Sequence, residues 1–223
     1  MILAAREGNA DCVQALLQGG ANSDAQMGKA HDGHSAITIG ALNGHTACVE
    51  LLLQTNRSLV DVPGAKLPAL CWSIRNRHVE TIRVLASAKA DVNMALTETG
   101  YKGQVPLTLA LDRWWEECPF DERSKRIHVV VALLQAGANA NAVRQGTDGS
   151  SPLMLASRQG SREAVLLLLE NKADVNSVNA LGSTGTVLTF VSLAEQHYFG
   201  ARTRVTCSQL KTTVFGADVT HET

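Results

Sequence analysis

The chain has 223 residues and a formal net charge of −1, with 45% hydrophobic but only 4% aromatic residues. Near-neutrality excludes an overall electrostatic preference for nucleic acid or a membrane surface, and the scarcity of aromatics favours thin layers of Ala and Leu over a large globular core. The five cysteines (Cys12, Cys48, Cys71, Cys118, Cys207) show no CxxC or paired spacing, which reads as reduced core thiols in a cytosolic or nuclear protein. The apolar residues before Arg6 are too few for a signal segment, and the longest apolar runs, Val129 to Leu134 and Ala164 to Leu169, fall far short of a membrane span.

The first predicted element is a helix pair near 1–18, with Leu3-Ala4-Ala5, then Gly8-Asn9, then Val13 and Leu16-Leu17. Met1 falls inside its first helix, so the chain reads as a piece of a longer protein. A loop follows from Ser23 to His34. Asp32-Gly33 in it is a favoured tight-turn pair. His31 and His34 have metal-like spacing without further ligands, so they read as exposed loop-tip residues. The second pair, near 35–54, repeats the first: SAITIGALNGHTACVELLL. Asn56-Arg57-Ser58 is a formal glycosylation triplet that reads as chance. Asn56 is expected in the left-handed position that Gly20 and Gly137 take elsewhere, and Lys89 and Lys172 are expected there at a cost of about 1 kcal/mol each relative to Gly. The third pair, near 68–87, closes with Ala90-Asp91-Val92-Asn93.

The fourth pair, near 105–135, carries an insertion, DRWWEECPFDERSKR, between its helices. Trp114, Trp115 and Phe120 lie in it among charges. They read either as a partner-binding protrusion or as part of a helix extended to about Glu117 and folded back on its neighbours. The loop before it is long and carries Tyr101-Lys102. The fifth pair, near 151–170, has the clearest punctuation: Ser151 as N-cap, Pro152 at the first helical position, a break at Gln159-Gly160, then Val165, Leu168 and Leu169 on one face. Leu168 and Leu169 are expected to be buried against the repeats on either side. A sixth copy opens at Thr186 and decays after Ala194. Helices this short need neighbours to bury their faces, and a period of about 33 residues provides them.

This pattern resembles the ankyrin repeat family: a Thr-Pro-Leu-His-type opening, Gly-His between the helices, and Gly-Ala-Asp-Val-Asn at the close. The resemblance covers Met1 to about Thr189. One departure is uniform, because Thr38, Cys71, Thr108, Met154 and Thr189 stand where the family has His. Weaker local stability is expected there. The resemblance implies an all-α solenoid of about five to six stacked helix-turn-helix repeats with hairpin finger loops. Its array spans 1–180 (repeats 1–31, 32–64, 65–101, 102–147, 148–180), with 181–223 as a degenerate sixth repeat or C-terminal cap.

No nucleophile elbow, phosphate loop, dinucleotide fingerprint or HExxH motif is present in the sequence. His45 and His78 sit at the inter-helix position of the repeat, a structural place. The family resemblance puts the pairs Arg6-Glu7, Leu42-Asn43, Arg75-Asn76, Asp112-Arg113 and Arg158-Gln159 on the concave groove. Four contain an Arg, a side chain suited to carboxylate or phosphate. The expected partner-binding residues are therefore Arg6, Glu7, Asn43, Arg75, Asn76, Arg113, Trp114, Trp115, Arg158 and Gln159. Glu7 and Asp112 are each placed to neutralise an Arg neighbour. The resemblance also implies hydroxylation of Asn93, Asn141 or Asn176, each with a Leu eight residues earlier; Asn141 is the weakest match, since Ala140 replaces Val. The reading is a non-enzymatic module that binds a protein partner, an acidic extended segment, with no cofactor, metal, nucleic acid, membrane or small-molecule substrate. The alternative is the targeting part of a larger enzyme, a kinase, ubiquitin ligase or acyltransferase, whose catalytic domain lies elsewhere.

Overall fold

The computed structural model describes residues 1–26, 33–61, 67–98, 100–112, 123–145 and 148–182. His31, Arg113, Trp114, Trp115, Cys118 and the expected sixth repeat lie outside them. Ten α-helices form five pairs among the described residues: α1 Ile2–Arg6 and α2 Ala10–Gln18; α3 Ala36–Asn43 and α4 Thr46–Thr55; α5 Ala69–Arg75 and α6 Val79–Ser87; α7 Pro106–Ala110 and α8 Arg123–Gln135; α9 Pro152–Arg158 and α10 Arg162–Glu170. Each pair matches the span read from the sequence to within one residue. No strand occurs among the described residues; Gln26 and Ser35 form an isolated antiparallel bridge.

Caps set the helix starts. Asn9 Oδ1 accepts from the Cys12 N–H at 3.0 Å to open α2, and Ser151 Oγ accepts from the Met154 N–H at 3.3 Å to open α9. Without the family's His, two of the openings are closed by threonine. Thr38 Oγ1 accepts from the Ser35 N–H at 2.8 Å and donates to the Ser35 carbonyl at 3.0 Å. Thr108 Oγ1 makes the same two bonds to Val105, both at 2.9 Å. These bonds stay within one turn.

The first helices stack in order, α1 on α3, α5, α7 and α9, and the second helices form a parallel layer, α2 on α4, α6, α8 and α10. Between the layers lies a continuous core of small and branched side chains. Leu52, Leu85, Leu133 and Leu168 hold equivalent places in α4, α6, α8 and α10, and all are 0% exposed. Each such burial stabilises by about 1.5–3 kcal/mol. Leu168 is buried as expected. Leu169 is only half-buried, whereas its counterparts Leu53 and Leu134 in α4 and α8 are buried.

Three details correct or sharpen the sequence reading. Lys89 (φ 74°) and Lys172 (φ 64°) do take the left-handed place held by Gly20 (φ 76°) and Gly137 (φ 89°). In each, the two N–H groups that follow the helix return to its last-turn carbonyls, as in Ala90 to Leu85 and Ala173 to Leu168, both 3.0 Å. Asn56 does not take that place: its φ of −144° is extended. Its carboxamide instead starts a 3-10 helix over Arg57–Asp61 by accepting from the Ser58 N–H (3.1 Å) and hydroxyl (2.7 Å). Finally, α7 stops at Ala110 with Leu111 as its C-cap, so it is not one helix reaching Glu117.

Candidate interaction groove

The groove positions lie where each first helix ends, and the structure gives most of them a job inside the array. Asn43 and His45 both donate to the Arg6 carbonyl, from Nδ2 at 3.1 Å and Nε2 at 3.0 Å. One repeat later, Asn76 (2.7 Å) and His78 (3.0 Å) both reach the Leu42 carbonyl. The Gln159 amide donates to the Leu111 carbonyl, while its oxygen accepts from Arg126 at 3.0 Å. A carbonyl only accepts, so both histidines carry their proton on Nε2. Burial lowers the His78 pKa, the bond to Leu42 raises it, and the nearby His45 lowers it further; the net is a value below the usual 6.5. Gly8 and Gly44 are required beneath these rings. Both have positive φ, and a Cβ at either would overlap the imidazole of His45 or His78.

The finger loops are cross-linked in the same way. The Asn93 carboxamide donates to the Gly137 carbonyl (3.2 Å) and accepts from the Asn139 N–H (2.7 Å). The Asn141 carboxamide does so to Lys172 (3.0 Å) and Asp174 (2.7 Å). Asn176 is exposed.

The arginines differ among themselves. Arg6 pairs with Glu7 at 3.0 Å on the open surface, as expected for that neighbour. Asp112 is buried and binds Arg144 of the next finger (3.3 Å) and the Gln104 amide (2.8 Å). Arg158 lies 3.8 Å from Asp148. Burial pushes the Asp148 carboxyl up, but hydrogen bonds from the Ser150 hydroxyl and N–H, with the charges of Arg144 and Arg158, outweigh it and hold the group below its usual range.

Arg75 is held otherwise. Its guanidinium lies 5.2 Å from the Trp72 ring centroid and 5.3 Å from that of Tyr101, within cation–π range of both. His34 packs against Trp72, its ring 5.3 Å away and tilted by 59°, and is half-buried rather than the exposed loop-tip residue read from the sequence. Three elements thus meet here: α5 supplies Trp72 and Arg75, and two fingers supply His34 and Tyr101. The Trp72 indole N–H is buried without an acceptor, so ring packing alone orients it.

Comparison with known proteins settles the family. Residues 1–95 match the family model for ankyrin repeats (3 copies), and residues 133–184 match that for ankyrin repeats (many copies). The chain belongs to the ankyrin repeat family. The array is similar to the crystal structure of the human ASB11 ankyrin repeat domain, with a TM-score of 0.62 and 22% identity over 90% of this chain and 82% of that one. At that identity the likeness speaks for the fold alone. Ankyrin repeats are generally protein–protein interaction modules and are typically non-catalytic. Among the described residues of this array, no helix is long and apolar enough to cross a membrane, and no cluster of three or more His, Cys, Asp or Glu is set to hold a metal.

Trp72 and His34 were not singled out as groove residues. A signal existed for Trp72: it lies three residues before Arg75, so both sit on one helix face. Nothing in the sequence brings His34 to the same place.

Proposed function

We propose that this ankyrin array binds a protein partner, an extended acidic segment, along the concave face and finger loops. The observation that carries the reading is Arg75, a half-buried cation held between two half-buried rings on the face where Arg6 and Arg158 also lie. Aromatic and Arg side chains together are typical anchors of protein interfaces. Asn43, Asn76 and Gln159 support the groove rather than contact a partner first, since each amide already links two repeats. Arg113, Trp114 and Trp115 remain proposed contacts from the insertion. An extended segment that orders on binding suits a shallow surface crossing several repeats.

Panning a display library of acidic and charge-neutralised extended peptides on the intact chain tests this. Acidic members should be enriched, and their binding should weaken as salt rises. Equal enrichment of the neutral library would remove the reading.

A further inference from the structure

We propose that the Trp72–Arg75–Tyr101 stack is a receptor for one carboxylate, a Glu or Asp side chain of the partner segment. The proposal deepens the reading of the groove as a protein-binding face and rests on it.

Among the described residues, Arg75 has neither an ion-pair nor a hydrogen-bond partner. Arg6 and Arg158, its counterparts in the first and fifth repeats, each face a carboxylate within 4 Å. Among the described groove arginines, Arg75 is therefore the one whose donors are not matched. It is also half-buried, so its charge is only partly solvated.

Contact with the faces of two rings constrains the guanidinium plane and leaves its N–H edge as the open binding surface. Two parallel N–H groups match the two oxygens of a carboxylate. Because the rings already hold the side chain, little rotamer entropy remains to be lost when an anion arrives. Charge chooses between anions. A phosphorylated side chain carries about −1.5 to −2 and is normally met by a cluster of cations. The stack presents one guanidinium, which balances one carboxylate.

The test uses the intact chain labelled with 15N and observed at the arginine Nε–Hε signals. The probes are blocked pentapeptides of serine carrying one central Glu, Gln or phosphoserine. The Glu peptide should shift the Arg75 signal saturably, with smaller movement at Arg6 and Arg158. The Gln peptide should bind at least about tenfold more weakly. Tyr101→Leu, which keeps an apolar side chain against the core, should weaken the Glu peptide roughly tenfold while leaving the rest of the spectrum in place. Arg75→Lys, read at the neighbouring Trp72 indole N–H, should do the same, because an ammonium keeps the charge but loses the fork. The proposal is overturned if the Arg75 signal stays still, if phosphoserine binds more tightly than Glu, or if Tyr101→Leu binds the Glu peptide normally. Should long acidic segments bind while the single-Glu peptide leaves Arg75 unmoved, the anchor is wrong and the groove reading stands. Should neither bind, both fail.

Discussion

At His78 the ring proton on Nε2 reaches across to the repeat before it, and burial keeps the second nitrogen free of a proton. The folded pKa lies below the ordinary value of 6.5, so the unfolded chain takes up a proton first as pH falls. Stability from this residue is complete above about pH 6.5 and is lost progressively below it, down through the folded pKa. Urea titrations at stepped pH values should show this loss, and His78→Gln, whose amide can still donate to Leu42, should flatten it. An unchanged slope in the variant would assign the loss to other groups. Backbone strain gives a second residue-scale test. Lys172→Gly should raise stability by about 1 kcal/mol, since φ 64° favours a residue without Cβ. Gly44→Ala should lower it by roughly 1–3 kcal/mol, through both the positive φ and the overlap with the His78 ring.

At the scale of the element, each helix pair is stable only through its neighbours. Leu168 sits at the contact of α10 with α8 and α9 and is 0% exposed. Leu168→Ala should cost about 2–5 kcal/mol; a thermal melt unmoved by it would contradict the packing. The fingers are held by amides rather than by apolar contact. Asn93→Ala removes two hydrogen bonds between adjacent fingers and should cost about 1–3 kcal/mol. The same bonds bear on the proposed asparagine hydroxylation. Asn93 and Asn141 must each break two carboxamide bonds to enter an enzyme, and all three asparagines are exposed. Incubation with a purified asparaginyl hydroxylase followed by peptide mass spectrometry should find the oxygen on Asn93 or Asn176 before Asn141, where Ala140 replaces the Val that precedes the other two. Earlier modification of Asn141 would contradict this order.

Across the whole molecule, periodicity made the fold legible, because every repeat states its own start, break and close in local chemistry. Ser151-Pro152 and the glycines under the histidine rings could be read one repeat at a time. Asn56 could not: its backbone depends on the 3-10 turn that follows, which has no counterpart among the other described residues. The groove was legible only as a row of positions. Which arginine faces an internal carboxylate depends on contacts between fingers, such as Asp112 with Arg144 and Asp148 with Arg158. Those pairs join residues of different elements, outside the spacing of one helix turn, and leave no short-range pattern. The central claim is that this face binds an acidic segment through Arg75. Its most direct test is calorimetric titration of the best panned acidic peptide against the intact chain and against the double variant Arg75→Glu, Arg158→Gln at low salt. Glutamine is chosen at Arg158 because Glu would set a second carboxylate beside Asp148. The account predicts at least a tenfold loss of affinity with the melting curve preserved; full affinity in the double variant would contradict it and make the arginine row a solvated face.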